Sequence, residues 1–464
     1  MGKFTINFLL WLMFASLLLH LSVWTSADAQ TRTLSFTEKL AKIETDSSFS
    51  ISEHNSFKVS DASADLEAML IKNKYRLEFS SGKLEAEGAE FLAREAAASQ
   101  FFLIGEIHGI AEIPQFTQAL FHRISDSGYR NLAVETGLIT ARILEDLAGK
   151  RNARQLFVEF DRQNPFALPF YNTSEEASLI ETILNADDKR KSRIWGLDHE
   201  FILSSKMHFK RLVELAPNKE AKKLVGEYYE RVSTEFERMT ESRNPGVLFI
   251  ISATKEDFKK LQAALRPKIG SETAEILQSL KIAHEIYLKK FVFGQNYESN
   301  LQRTQLMKKQ FMRYYKTAQQ QEKLPKVMLK FGAIHTKRGR SYENLYDIGA
   351  LTTELASMNG TQSFHLLILP LTGTINTYRP FAGNEADKIK KYETELFLPD
   401  DSVDFKPFLS LAKNENRPFV VDLRPFRSQL DAKRLVVDKG LSEIIWGYDA
   451  VLVMPQVRAS NLLN

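Results

Sequence analysis

Short apolar runs that stop at glycine alternate along this chain with longer segments whose apolar residues recur at helical spacing. FFLIGE is the first such run, and Ile107, His108 and Gly109 follow it directly. Next comes IPQFTQALFHRISDSG, where Ile113, Phe116, Leu120, Phe121 and Ile124 predict one helix face and Gly128 predicts its stop. NLAVETG then reads as a second strand, ending in Glu135 and Gly137. Strand, helix and strand in so short a span predict a right-handed βαβ unit in a parallel sheet.

The pattern returns further on. A helix over 175–186 precedes RIWGLDHEF, a strand ending in Asp198, His199 and Glu200. KVMLKFGAIHTKRG is another strand with His335 at its end, and FHLLILP (364–370), PFVVDL (418–423) and YDAVLVMP (448–455) are further strands. Residues 62–98 read as helical. The stretch 205–325 is charged and helical throughout, with Leu224, Val225, Tyr228, Val232, Phe236 and Met239 on one face of its early part. These patterns predict an α/β fold with a mainly parallel central sheet flanked by helices. The sheet domain is expected in two parts, 61–204 and 326–464, with 205–325 as a helical insertion or cap.

The amino terminus has a different grammar. Lys3 precedes an apolar run from Phe8 to Trp24, and Ala27-Asp28-Ala29 follows. That layout predicts a signal peptide over 1–29, cleaved after Ala29, and a periplasmic or secreted protein; an uncleaved anchor is the alternative. Residues 30–60 form a polar lead-in. No second apolar run has the length of a membrane span, so none is expected after cleavage. The chain of 464 residues has no cysteine, which excludes a disulfide framework and a thiolate metal site. A net charge of +4 is too mild to argue for nucleic acid. The expected partner is a small-molecule substrate or ligand, and oligomeric state is left open.

In parallel α/β sheets, ligands bind beyond the carboxyl ends of the strands. Those ends carry Glu106 and His108, then Glu135, then Asp198, His199 and Glu200, and finally His335. An imidazole near neutral pKa can take a proton from water, and a carboxylate can hold its tautomer. Converging imidazoles and carboxylates can also bind a divalent metal, with His108, His335 and Glu106 as candidate ligands. Each residue has a plainer reading as well: His108 as a turn residue, Glu135 as a helix cap, and Asp198 with His199 as a structural pair. His122, His208 and His284 lie on predicted helices and read as surface or packing residues. His54 and His365 earn no role. There is no nucleophile elbow, phosphate loop or H-E-x-x-H motif.

GEIHGIAEIPQF, GYRNLAVETG, WGLDHE and FGAIHTKRG, in that order, resemble the erythromycin esterase-like proteins. These form a loose superfamily with the ChaN haem-binding proteins and the TIKI/TraB group. NLQRTQLMKKQF, with Arg303 and Met307, and YDAVLVMPQV extend the resemblance over roughly residues 95–455. It implies Glu106, His108, Glu135 and His335 as the catalytic set, with His108 activating water. It also implies Glu112, Asp198, His199 and Arg303 as substrate-side residues. One residue separates Glu106 from His108, the spacing of the ChaN-like group rather than the two of the erythromycin esterases. Three functions follow as expectations. The first is an exported ester or acyl hydrolase using no cofactor or a divalent metal. The second is a haem- or metal-binding protein without catalysis. The third is a protein-binding module that uses the helical insertion.

Overall fold

The computed structural model describes residues 65–80, 82–185, 193–242, 244–378, 392–397, 405–413 and 415–463. The predicted signal segment, the lead-in and His54 lie outside the described residues. Among the described residues, no helix is long and apolar enough to cross a membrane.

Among the described residues there are eleven strands: β1 (Lys74–Arg76), β2 (Glu78–Ser80), β3 (Lys83–Glu85), β4 (Phe101–Glu106), β5 (Tyr129–Gly137), β6 (Ile194–Asp198), β7 (Lys326–Gly332), β8 (Ser363–Tyr378), β9 (Tyr392–Phe397), β10 (Phe419–Asp422) and β11 (Ala450–Val457). Nine of these form the central sheet. Its core runs β11-β8-β4-β7-β5-β6, all parallel. β10 adds to β11 antiparallel, β1 adds to β10 antiparallel, and β9 pairs antiparallel with the far half of β8. Continuous apolar runs such as FFLIGE are what a strand covered on both faces requires, and every residue of β4 is buried.

Most expected elements are found. The run after β4 is the helix Glu112–Ile124, and Gly128 ends the short turn after it in a left-handed conformation. The stretch 62–98 departs from expectation. It holds the helices Leu66–Lys72 and Ala86–Ala98, but KYR between them joins the sheet edge as β1, and β2 and β3 form a separate hairpin. The cause is tertiary. Lys74 pairs with Val421 and Arg76 with Phe419, partners too distant in sequence for any local pattern to display.

Between β6 and β7 the chain is helical. The helices Ser205–Glu214, Lys219–Ser233, Lys255–Leu265 and Glu272–Phe291 gather around a core that includes Phe209, Leu248, Phe249, Leu261 and Leu280. The last helix of this stretch, Asn296–Ala318, instead packs Met307, Phe311 and Tyr315 on the sheet against Phe101, Trp195 and Val327. His208 and His284 are buried packing residues, and each Nδ1 sits beside a backbone carbonyl, that of Ser204 and of Ile250 respectively.

One feature of topology fixes where a ligand can sit. β4 and β7 are parallel neighbours, yet their following helices cover opposite faces. Glu112–Ile124 packs with Phe102 and Ile104, while Ile348–Met358 packs with Phe101 and Leu103. A crevice opens at such a switch point, beyond the carboxyl ends of the strands.

Gly196 in β6 lets the helix Leu138–Ala148 come close. A Cβ there would lie 2.3 Å from the carbonyl oxygen of Gly137 and 2.7 Å from Cβ of Ala141. Gly196→Ala is therefore expected to cost roughly 1–3 kcal/mol through overpacking. Urea unfolding measures it, and an unchanged midpoint would show that this helix–strand contact yields freely.

Candidate active site

The strand ends converge as the sequence suggested. Glu106 closes β4, and its carboxylate lies 3.0 Å from Nδ1 of His108, two residues on. Nε2 of His108 points across the crevice to Oε2 of Glu135, at 3.4 Å. His335 stands in the short helix after β7, where Nδ1 is 2.6 Å from Asp347 and Nε2 is 3.5 Å from Oε1 of Glu135. Two imidazoles from neighbouring strands thus share one design. Each has Nδ1 tied to a carboxylate of its own and Nε2 turned to Glu135.

Glu135 is the hub. Its Oε1 accepts from Nη2 of Arg303 at 2.7 Å, and its Oε2 accepts from the Gly332 N–H at 2.7 Å. Arg303 spans from there to Asp198 at the end of β6, donating from Nη2 at 2.6 Å and from Nε at 3.0 and 3.1 Å. His199 folds onto the same Asp198, with Nδ1 2.6 Å from the carboxylate and its ring 4.8 Å from that of Tyr287. Glu112 is placed elsewhere. It accepts from the backbone N–H and the guanidinium of Arg458, at 2.8 and 2.9 Å, and so holds the end of the chain. Glu200 is a cap, accepting from the Ile139 N–H and the Thr140 hydroxyl.

Four site residues had no role in the sequence reading. Lys330 is fully buried in β7 and donates to Glu106 and to Glu176, at 2.6 Å each. A lysine in the middle of the apolar run VMLKFG was the available signal, since lysine is almost never fully buried without a partner. Asp347 is the N-cap of the helix Ile348–Met358 and accepts from the Ile348 N–H. Glu176 lies in the first turn of the helix Ser174–Asn185. Phe170 stacks on the His108 ring at 3.8 Å between centroids and 14° between planes, and nothing in its sequence context announced it.

Burial and pairing set the charges. Burial disfavours imidazolium at His108, but the Glu106 and Glu135 carboxylates outweigh it and lift the group to about 9. The same contest at His335, won by Asp347 and Glu135, lifts it to about 10. Burial would raise Glu135, yet His335 and His108 hold it well below the ordinary carboxylate range. Glu106 is held low against its burial by Lys330 and His108. Burial raises Glu176 to about 7, with Lys330 pulling the other way and Glu106 adding to the rise. His365 is buried and held down to about 3, chiefly by burial, between Ser363 and the Thr336 carbonyl.

A divalent cation or a haem iron at Glu135 would have to displace pairings already made there. Its Oε1 accepts from Arg303 and its Oε2 from Gly332, and Nε2 of His108 and of His335 both face that same carboxylate. Among the described residues, no three His, Cys, Asp or Glu side chains are arranged to hold a metal ion.

The site and its sheet define an α/β protein with a buried histidine–carboxylate centre at a parallel switch point. No protein-family model matches the sequence, and no curated protein matches it. Solved structures match the fold. A succinoglycan biosynthesis protein superposes with a TM-score of 0.56 at 16% identity, over 88% of this chain and 100% of the other. A Bacillus cereus protein does so at 0.54 and 16%, over 85% and 98%. The erythromycin esterase EreC, as a mutant in an open conformation, does so at 0.53 and 14%, over 81% and 95%. The fold is therefore shared with these solved structures, an erythromycin esterase among them.

Two measurements test this electrostatic frame. Lys330→Met removes the cation from between Glu106 and Glu176, and a loss of about 3–5 kcal/mol is expected in chemical unfolding at neutral pH. An unchanged midpoint would mean that the two carboxyls manage without it. The second concerns His335, whose proton affinity rises on folding. Its contribution is complete below the unfolded imidazole pKa and is lost as pH rises through about 10. Melting temperature should fall over that window in the wild type and fall less in His335→Gln. Parallel curves would remove the ion pairs of His335 from the account of stability.

Proposed function

We propose that the chain is an exported hydrolase that adds water to the carbonyl of a small-molecule ester or lactone. The observation that carries this reading is the pair of imidazoles, each with Nδ1 fixed by a carboxylate and Nε2 aimed at one shared centre. Glu106 keeps the Nδ1 proton of His108 in place, so Nε2 is the nitrogen that takes a proton. Water attacks the carbonyl carbon and gives that proton to Nε2 of His108. His335, held as imidazolium, donates a hydrogen bond toward the carbonyl oxygen, where negative charge develops. When the tetrahedral intermediate collapses, the carbon–oxygen bond to the leaving group breaks. The proton on His108 then passes to the departing alkoxide. Glu135, pinned by Arg303 and Gly332, sets the spacing of the two rings and stabilises their charge. The fold shared with erythromycin esterase supports the reaction class, and the apolar run before Ala27-Asp28-Ala29 supports export.

The pH dependence follows from the charges. A general base works when neutral, so activity should rise with pH as His108 deprotonates near 9. The polarising group works when charged, so activity should fall as His335 deprotonates near 10. A panel of aryl esters and lactones, assayed from pH 6 to 11, is expected to give that alkaline bell. His108→Ala should lower kcat about 10²–10⁴-fold with the far-ultraviolet spectrum unchanged. A haem absorption band in the purified protein that disappears in His108→Ala would overturn the hydrolase reading.

A further inference from the structure

The last described segment, Arg458–Leu463, crosses two loops that both reach His108. On one side Ala111 N–H donates to the Arg458 carbonyl at 2.8 Å, and Ser460 N–H donates to the Gly109 carbonyl at 3.0 Å. That carbonyl also accepts from Asn376 N–H at 3.1 Å. Gly109, the residue after His108, is left-handed at φ +88, and a Cβ there would meet the Asn376 carbonyl oxygen at 2.0 Å. The backbone next to the imidazole is thus clasped between β8 and this segment. On the other side Ser174 N–H donates to the Asn461 carbonyl at 2.7 Å, and Leu463 N–H donates to the Asn172 carbonyl at 3.2 Å. The Asn461 side chain donates to Oε1 of Glu175 at 2.5 Å, and its N–H donates to Oε2 at 3.0 Å.

The second loop bears on His108 in two ways, one by contact and one through a chain of charges. Phe170 lies flat on the imidazole and holds a backbone φ of +68, a conformation that is costly for an aromatic residue and persists only where its surroundings enforce it. Glu176, six residues on and next to Glu175, shares Lys330 with Glu106, the carboxylate that holds Nδ1 of His108. Ring plane and local charge at His108 both depend on where residues 170–176 sit. Backbone bridges from Ile110 to Ala459 and from Thr173 to Leu462 tie the two loops to one strap.

We infer that Arg458–Leu463 is a positioning strap for His108, with Asn461 and Glu175 as its latch, an assignment that rests on the hydrolase reading for its catalytic consequence. The strap touches no reacting atom. It works by fixing Gly109 on one side of the imidazole and the Phe170–Glu176 loop on the other. Loosening the latch lets Phe170 relax its backbone and slackens the Glu176–Lys330–Glu106 chain. The charged groups around His108 are Glu106 and Glu135, with Lys330 and Glu176 behind the first and Arg303 and His335 behind the second.

The test is Asn461→Ala in the full chain, read first by the titration of the His108 Cε1–H resonance, assigned through its loss in His108→Gln. The wild-type midpoint is expected near 9, since the Glu106 and Glu135 carboxylates outweigh burial there. The variant should move about one unit toward the ordinary imidazole value, a tenfold loss of proton affinity. With an aryl ester, kcat should fall about tenfold and KM stay in place. An unchanged midpoint with only a lower melting temperature would overturn the inference, because that is what a structural tether alone does. Where Asn461→Ala does not fold, Glu175→Gln weakens the same latch and is read in the same way. No ester turnover in any form, with the midpoint still shifted, would sink the hydrolase reading and leave the strap standing.

Discussion

A single buried carboxylate organises this protein's crevice. Glu135 lies at the end of β5, and every group that meets it comes from another element. Arg303 arrives on the helix that closes the insertion, Gly332 ends β7, His335 follows it, and His108 follows β4. A buried charge is tolerated only when paired and hydrogen-bonded. Here one negative charge is held by a guanidinium, a backbone N–H and two imidazoles. The charge in turn keeps both imidazoles protonated against their burial. None of these groups is stable in its place without the others, so the site is a mutual arrangement rather than a set of separate fixtures.

A second ionic group lies beside the first on the opposite face of the sheet. Lys330 alternates with Leu329 and Phe331, so its side chain leaves the face that Arg303 covers and reaches Glu106 and Glu176 under the helix Ser174–Asn185. His108 is where the two groups meet. Its Nδ1 belongs to the Lys330 side through Glu106, and its Nε2 belongs to the Arg303 side through Glu135. The helices diverge between β4 and β7, and that is where one side chain can touch both faces.

What the sequence disclosed follows from this geometry. Strand ends were legible because buried parallel strands are apolar throughout, so a run that breaks at glycine and a charged residue marks the carboxyl edge. Glu106, His108, Glu135, Asp198 and His335 were found in that way. Arg303 was named only through the family resemblance, because a helical arginine resembles any solvated one until its partners are known. Phe170 was not legible, since stacking on His108 depends on a loop held by residues 461–463. Glu112 had the right neighbourhood in sequence, but in space it faces Arg458. KYR between two helices became β1 because its partner β10 lies near the other end of the chain.

The order of the strands adds one more constraint. β4 and β5 are consecutive in sequence but not adjacent in the sheet, for β7 lies between them. His108 and Glu135 therefore come within reach of each other across a strand that enters only after the whole helical insertion. Closing so long a segment costs little more than closing a shorter one, because loop entropy grows only with the logarithm of length. Joining the two halves also places Lys330 and Arg303, the two cations that the carboxylates require. Before β7 is in place, Glu106 lacks Lys330 and Glu135 lacks the Gly332 N–H. Completing the sheet and charging the site are one event, and a variant that disturbs either is expected to disturb both.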